Sequence, residues 1–543
     1  LDRDFGADGV GQDESSFFHV FTQPILTTVV VSPEEGPIEA PPRVSPAPAP
    51  PRSKTQSLRW TWRDRGGLLA LALLAGWLRF FRLGWPPGVI FDETYYAKDA
   101  CLYLGLGQKF CKAGQATEQS YVHPPLGKWL ISIGIKIFGY NAFGWRFAAA
   151  VFGTGLVLLA YVLARKLFRD RFVAGVAGFL AATDFLLIVQ SRVAMLDIFQ
   201  AFFVLLGFVF LAYDRERILL LRENYLLPFP GPRPNREREW RFAAGACMGL
   251  ATAVKWSGLW AIAGAAALAL SWSLWLIRAE RHAARAGRIE PGFSAAKEFL
   301  NWAVAFMLIP VVVYLTVYSV YFIDRLKEPC AFRVPAATSD NSRFLFRGGR
   351  FGLHGGECRA GVAGVAAGFL DLQQHMLDFH TRLTATHPYQ SPAWKWPLIL
   401  RPTAYYFTGP PQTHKAHHIL AFADPVVWYA ALGALVYALA RSARRWRPER
   451  FVAAGWLAQF LPWLAFRRPA IFFFYMTPIA AFMMVALAAA LGAFAEEGRW
   501  AKRAVLGYLA VTVVLLYYFY PVLVGTGLKF NLWQSRMWYR SWI

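Results

Sequence analysis

The chain has 543 residues, 56% of them hydrophobic and only 17% charged, with 22 Trp and 45 Phe. Soluble globular chains carry about 25% charged residues, so this balance excludes a soluble multidomain protein, whole-chain disorder and a small disulfide scaffold. The formal charge of +23 does not select nucleic acid as a partner. Its basic residues fall in short gaps between apolar runs rather than on one face of a soluble fold.

Residues 1–65 are polar and include an alternating Pro and Ala run from Pro41 to Pro51. Such a run favours extended chain with no apolar face to bury, so a disordered cytoplasmic tail is expected. No cleavable signal peptide is expected, because the first apolar run is long and follows this tail. About 20 mainly apolar residues cross a bilayer core as helix. Eleven runs qualify: 67–86, 143–164, 172–190, 196–213, 241–254, 257–277, 299–322, 424–440, 451–466, 470–492 and 504–524. An all-α polytopic membrane protein follows. Two long polar loops, 87–142 and 324–423, separate an amino-terminal module (66–323) from a carboxyl-terminal one (424–543).

Cytoplasmic loops concentrate Lys and Arg. Alternate short gaps do so here, with Arg165, Lys166, Arg169 and Arg171 in one and Arg441, Arg444, Arg445, Arg447 and Arg450 in another. The rule predicts a cytoplasmic amino terminus, both long loops outside and an extracytoplasmic carboxyl terminus; the high Ala, Arg and Gly content suggests a bacterium, hence a plasma membrane. The rule leaves Arg192, Lys255, Arg467 and Arg468 in outer gaps with no orienting task. Ionisable groups near membrane depth are costly and point to a site or an ion pair.

Other chemistry-bearing residues share that side. Asp92-Glu93 follows the first span, and His123-Pro124-Pro125-Leu126-Gly127-Lys128 opens an amphipathic stretch later in the same loop. Arg146 heads the second span, where it can pair with Glu93 or hold a phosphate. Ser191-Arg192 and Leu196-Asp197 flank a short turn, and Lys255-Trp256-Ser257-Gly258 breaks an apolar run. A carboxylate at a membrane boundary suits a general base or a cation site. A lysine beside an aromatic ring suits a lipid-linked phosphate.

In order and spacing these motifs resemble the protein O-mannosyltransferase family. His387-Pro388-Tyr389-Gln390-Ser391, Trp394-Lys395-Trp396-Pro397-Leu398, Arg401-Pro402, Leu461-Pro462-Trp463 and the closing Arg536–Ile543 segment match its bacterial branch. The resemblance covers roughly residues 60–543 and implies a GT-C type glycosyltransferase. Such an enzyme moves mannose from polyprenyl-phosphate-mannose onto Ser or Thr of exported proteins, beside the secretion machinery. It implies Asp92 as catalytic base and Glu93 as its active-site neighbour. Arg146, Lys255, Arg192, His123 and Lys128 are expected at the donor phosphate or lipid. His380, His387, Tyr389, Trp394, Trp396 and Arg401 are expected at the acceptor or in a covering loop, and Asp197 in a structural role.

The eukaryotic β-trefoil insert has no room in the second loop, and residues 325–368 match no family pattern. His375 and His380 resemble zinc ligands only superficially; no metal or cofactor is implied, and a divalent cation requirement stays open. Short spacing on an oxidising side makes Cys101–Cys111 a candidate disulfide, and Cys330 and Cys358 share the other loop. Two rivals remain at this point. A related GT-C enzyme would act on lipid or glycan, and a secondary transporter would show broken helices in repeated halves, which the sequence lacks.

Overall fold

The computed structural model describes residues 60–111, 121–226, 238–287, 295–333, 357–410, 414–442, 448–466 and 468–543. The Pro-rich tail, Arg444, Arg445, Arg447, Arg467 and most of the stretch 325–368 lie outside these described residues. The helices run α1 (Trp62–Phe80), α2 (Glu93–Leu102), α3 (Gly107–Phe110), α4 (Leu126–Phe138), α5 (Ala142–Phe168), α6 (Arg171–Thr183), α7 (Phe185–Gln190), α8 (Asp197–Leu226), α9 (Glu239–Val254) and α10 (Gly258–Arg285). Then come α11 (Ala295–Ala303), α12 (Ile309–Val317), α13 (Ser319–Lys327), α14 (Gly361–Arg382), α15 (Pro425–Ser442), α16 (Pro448–Ala465), α17 (Thr477–Ala495), α18 (Arg499–Val524) and α19 (Phe530–Gln534). Strands are few: β1 (Phe332–Arg333) pairs with β2 (Cys358–Arg359), and β3 (Thr403–Thr408) with β4 (His417–Ala421), both antiparallel.

Six helical stretches among the described residues are long and apolar enough to cross a bilayer: Ala142–Phe168, Asp197–Leu221, Gly258–Arg285, Ala295–Val317, Phe473–Ala495 and Arg499–Val524. At 1.5 Å per residue they reach about 35–42 Å, enough for the hydrocarbon core. The other expected runs are helical but shorter. The chain is therefore a multi-pass membrane protein.

Several expected boundaries move for identifiable reasons. The first run ends at Phe80 rather than at residue 86, because Arg192 reaches the carbonyls of Leu78, Arg79, Phe81 and Arg82 and closes the helix there. The 172–190 run is two helices. Asp184 caps α7, accepting from Leu187 N at 2.9 Å and from Trp428 Nε1 at 2.7 Å. The 470–492 run becomes α-helical only at Thr477, and the preceding tight turn Phe473–Met476 carries aromatic side chains toward the long loops.

The core lies around α8 and α17; α17 is buried without interruption from Thr477 to Ala488. By contrast α18 exposes Val511, Val513, Val514 and Tyr517, an apolar face suited to lipid. Amphipathic α4 lies close against α5, where a Cβ on Gly134 would meet Gly144 O at 2.2 Å. At the end of the bundle away from the long loops, Asp64 accepts from Arg165 Nε at 2.7 Å and from Tyr161 Oη at 3.2 Å. Arg241 there pairs with both Asp214 and Glu298.

The opposite end, the loop face, gathers α2–α4, α14, β3–β4 and the segments 387–402 and 525–543. Trp85 Nε1 donates to Gly525 O at 3.0 Å, Ser391 N to Ile471 O at 2.9 Å, and Trp542 Nε1 to Ile399 O at 2.8 Å. Disulfides join Cys101 to Cys111 and Cys330 to Cys358. Alkylation of Cys101 and Cys111 is expected only after reduction; equal labelling of native protein would overturn that pairing.

Candidate active site

The site begins at Phe91-Asp92-Glu93, where the chain turns from the end of α1 into α2. Phe91 adopts φ 49°, left-handed backbone that a bulky residue avoids unless its surroundings fix it. Here they do. Its ring stacks on Tyr405 at 4.7 Å and meets Phe474, His387 and Phe472 edge-on at 5.8, 5.8 and 6.1 Å. Three distant segments thereby fix the residue immediately before Asp92.

Asp92 stands at the head of α2, partly buried, with Tyr96 Oη 3.5 Å from Oδ2. Burial pushes its carboxyl up to about 6, against the pull of Lys255. Glu93 is placed quite differently. It is fully buried, and its four lone-pair positions are filled by Arg146 Nε (2.7 Å), Arg146 Nη2 (2.8 Å), Ile90 N (3.0 Å) and Ala194 N (2.9 Å). It has no position left for a substrate proton. Glu93, expected in the active site beside the base, is therefore a positioning residue.

Arg146 is not free for a phosphate. Beyond its fork on Glu93 it donates to Leu83 O, Pro86 O and Gly88 O, pinning the chain that leads to Asp92. Lys128 lies buried against Asp99 at 2.8 Å, tying α4 to α2. With Arg192 engaged by the end of α1, three of the five residues expected at the phosphate hold the scaffold instead. Lys255 Nζ lies 2.9 Å from Asp197 Oδ1 and 4.2 Å from the centroid of Tyr475, and its field reaches Asp92.

The second loop closes over this centre through α14. His380 Nε2 lies 2.8 Å from Val122 O, while Arg468 Nη1 lies 2.7 Å from His380 Nδ1. Arginine only donates, so Nδ1 accepts and the proton sits on Nε2. Burial, then Arg468, lowers His380 to about 4 and keeps the ring neutral. His123 packs 5.0 Å from it, is held neutral mainly by burial, and has a buried Nδ1 without a hydrogen-bond partner among the described residues.

The other expected loop residues divide. His387 and Tyr389 form one turn, Tyr389 N donating to His387 Nδ1 at 3.1 Å. Trp396 is fully buried, bonded to Ser391, and belongs to the core rather than to an acceptor surface. Arg401 joins Pro388 O to Ser541 O and Ile543 O, again a scaffold task. Trp394 is 57% exposed. Sequence reasoning left Arg468 without a task and passed over Tyr96, Tyr405 and Tyr475. Only Tyr96 had a local signal, four residues beyond Asp92 on a helix.

Two hollows adjoin the centre. A groove of about 880 Å³ starts at His123 and Pro125 and runs between α4 and α13–α14, past Trp129, Leu130, Tyr318 and Leu372. A cleft of about 380 Å³ lies between Trp394, Trp463, Phe466 and Arg468. Among the described residues no group of three or more His, Cys, Asp or Glu is placed to hold a metal ion.

A helical membrane fold with these features on its loop face defines a class. The chain resembles the Saccharomyces cerevisiae protein O-mannosyltransferase Pmt1-Pmt2 complex bound to the sugar donor, with a TM-score of 0.68 at 15% identity over 89% of this chain and 93% of that one. It has the GT-C glycosyltransferase fold. Sequence then narrows the class. The family described as dolichyl-phosphate-mannose-protein mannosyltransferase matches residues 69–325, and the C-terminal four TMM region of protein-O-mannosyltransferase matches 365–542. The chain belongs to the protein O-mannosyltransferase family. It is 32% identical over 540 residues to the polyprenol-phosphate-mannose–protein mannosyltransferase of Mycobacterium tuberculosis, covering 92% of this chain and 96% of that one. The enzyme of the same name from Corynebacterium glutamicum is 29% identical over 530 residues, covering 91% and 96%.

Proposed function

We propose that this chain transfers mannose from polyprenyl-phosphate-mannose to Ser or Thr hydroxyls of exported polypeptides, with inversion at the anomeric carbon. The observation that carries the reading is one ionisable carboxylate, Asp92, set beside the Lys255–Asp197 pair near the mouth of an apolar groove. The polyprenyl chain occupies that groove, and its phosphate meets Lys255 and His123. The loop face is extracytoplasmic and the amino terminus cytoplasmic, which the arginine-rich gaps support. Acceptors therefore arrive at the site as they leave the secretion machinery.

The step balances simply. The acceptor Oγ attacks C1 of mannose while its proton passes to Asp92. The C1–O bond to phosphate breaks with its electron pair staying on the phosphate oxygen. Products are the mannosyl protein, polyprenyl phosphate and one proton later released from Asp92. A carboxyl with a pKa of about 6 is about nine-tenths ionised at pH 7, and a base near the working pH is the effective kind. The departing phosphate is already a stable anion, so no second carboxyl has to protonate it. Lys255 stabilises the charge that develops there.

Membranes carrying the enzyme, given polyprenyl-phosphate-[mannose] and a Ser/Thr-rich peptide, are expected to label the peptide. Label on lipid alone would overturn the reading. Phe91 supplies a sharper test of the geometry. Phe91→Ala is expected to lower kcat about a hundredfold by loosening Asp92. It should also move the acidic limb of the pH profile below 6, because entering water relieves the burial that raises the carboxyl. Phe91→Tyr should retain most of the rate and keep the limb in place. A merely structural role would cost protein yield and leave the limb unmoved.

A further inference from the structure

The groove and the cleft meet the catalytic centre at the two ends of one row of side chains. His123 lines the groove, Arg468 lines the cleft, and His380 stands between them, 5.0 Å from the His123 ring and 2.7 Å from Arg468 Nη1. The two hollows share no lining residue. The cleft wall is also close to the phosphate-side lysine. Trp463 packs on Tyr475 with ring centroids 4.7 Å apart, and Tyr475 carries Lys255 Nζ on its other contacts at 4.2 Å.

Inversion constrains what each hollow holds. The nucleophile approaches C1 from the side opposite the departing phosphate, so donor and acceptor reach the sugar from different directions. With the lipid chain and phosphate on the His123 side, the Arg468 side remains for the acceptor. Resting on the mannosyl-transfer reading above, we infer that the 380 Å³ cleft between residues 390–394 on one side and 463–466 and 468–471 on the other is the acceptor-polypeptide subsite. It takes the extended segment that flanks the reacting Ser or Thr.

Its lining fits that occupant. Trp394 offers a ring 57% exposed, and Pro392, Pro469 and Phe466 continue an apolar wall. Aromatic surface of this kind holds extended chain at low entropic cost. Arg468 Nε is buried and has no hydrogen-bond partner among the described residues. Among the described residues Arg468 is the sole charged one of the lining, and none is a carboxylate. The cleft therefore accepts neutral or acidic flanking residues and disfavours Lys and Arg.

Initial-rate kinetics at saturating polyprenyl-phosphate-mannose, with synthetic Ser/Thr peptides, test this. Trp394→Ala is expected to raise the peptide KM about tenfold, with kcat and the donor KM within twofold, and Trp394→Phe to recover most of the affinity. On the wild type, replacing neutral flanking residues by Lys should raise the peptide KM several-fold, whereas Asp should not. A peptide carrying benzoylphenylalanine two residues from its Ser should photo-crosslink within 390–394 or 463–471. An unchanged peptide KM in Trp394→Ala, or crosslinks confined to 121–133 and 317–326, would overturn the assignment while transfer to peptide by the wild type upheld the function. Failure of the wild type to label any peptide would overturn both.

Discussion

Asp92→Asn is expected to lower peptide mannosylation about a thousandfold or more while donor binding survives, a loss of about 4 kcal/mol of transition-state stabilisation. Asn has the same shape but cannot take the hydroxyl proton. The fold does not depend on the charge, since among the described residues Asp92 makes no ion pair and Tyr96 Oη donates to it only at 3.5 Å. The same carboxyl sets a pH profile. Its pKa of about 6 lies above the ordinary value of 3.8 because burial penalises the ionised form. Above pH 6 the base is ionised and the rate is level; below it kcat/KM should fall tenfold per unit. Lys255 pulls that pKa down, so Lys255→Met should move the limb to higher pH as well as slow the reaction. A limb near 4, or one that Lys255→Met leaves in place, would separate Asp92 from the titrating base. Undiminished transfer by Asp92→Asn would exclude it altogether.

The parts of this site legible in the sequence are those with a local signature. An apolar run declares a helix wherever it lies, and an acidic pair at its end declares a boundary carboxylate. The motifs at 92–93, 123–128, 255–258 and 387–402 all fall on the loop face. What the sequence did not contain was the division of labour within them. Asp92 and Glu93 are adjacent carboxylates, yet Arg146 is bound to one and not to the other because successive residues at a helix start point in different directions. Lys128 and Arg192 read as cations for the donor phosphate or lipid, and Arg146 as a partner either of Glu93 or of a phosphate; the structure makes it the partner of Glu93. The other two are engaged by groups remote in sequence: Asp99 for Lys128, and the closing carbonyls of α1 for Arg192. Arg468 is the reverse case. Its partner His380 lies 88 residues away on a loop helix, and no periodicity connects them. Phe91 shows the same limit in the backbone, since a bulky residue with positive φ breaks local preference and is held only by tertiary contacts.

The Glu93–Arg146 pair carries the other large effect, and it should appear first as stability. Both side chains are fully buried. Removing one partner strands the other charge in a place water cannot reach, a loss of about 3–5 kcal/mol where measured in buried pairs. Glu93→Gln keeps the shape but leaves Arg146 charged and uncompensated. Arg146→Met removes five donors and frees the carbonyls of Leu83, Pro86 and Gly88, which hold the approach to Asp92. Each single variant is therefore expected to unfold at markedly lower temperature in detergent and to transfer mannose poorly. The double variant should be less destabilised than the sum of the two, because no buried charge is left over. Activity should not return with that stability, since the fork that fixed residues 83–93 is gone. Glu93→Gln with full thermal stability and no transfer would instead make Glu93 a direct participant in the chemistry, against its four filled acceptor positions. Additive losses in the double variant would mean that the two side chains act separately, and that Asp92 is aimed by the aromatic clamp on Phe91 alone.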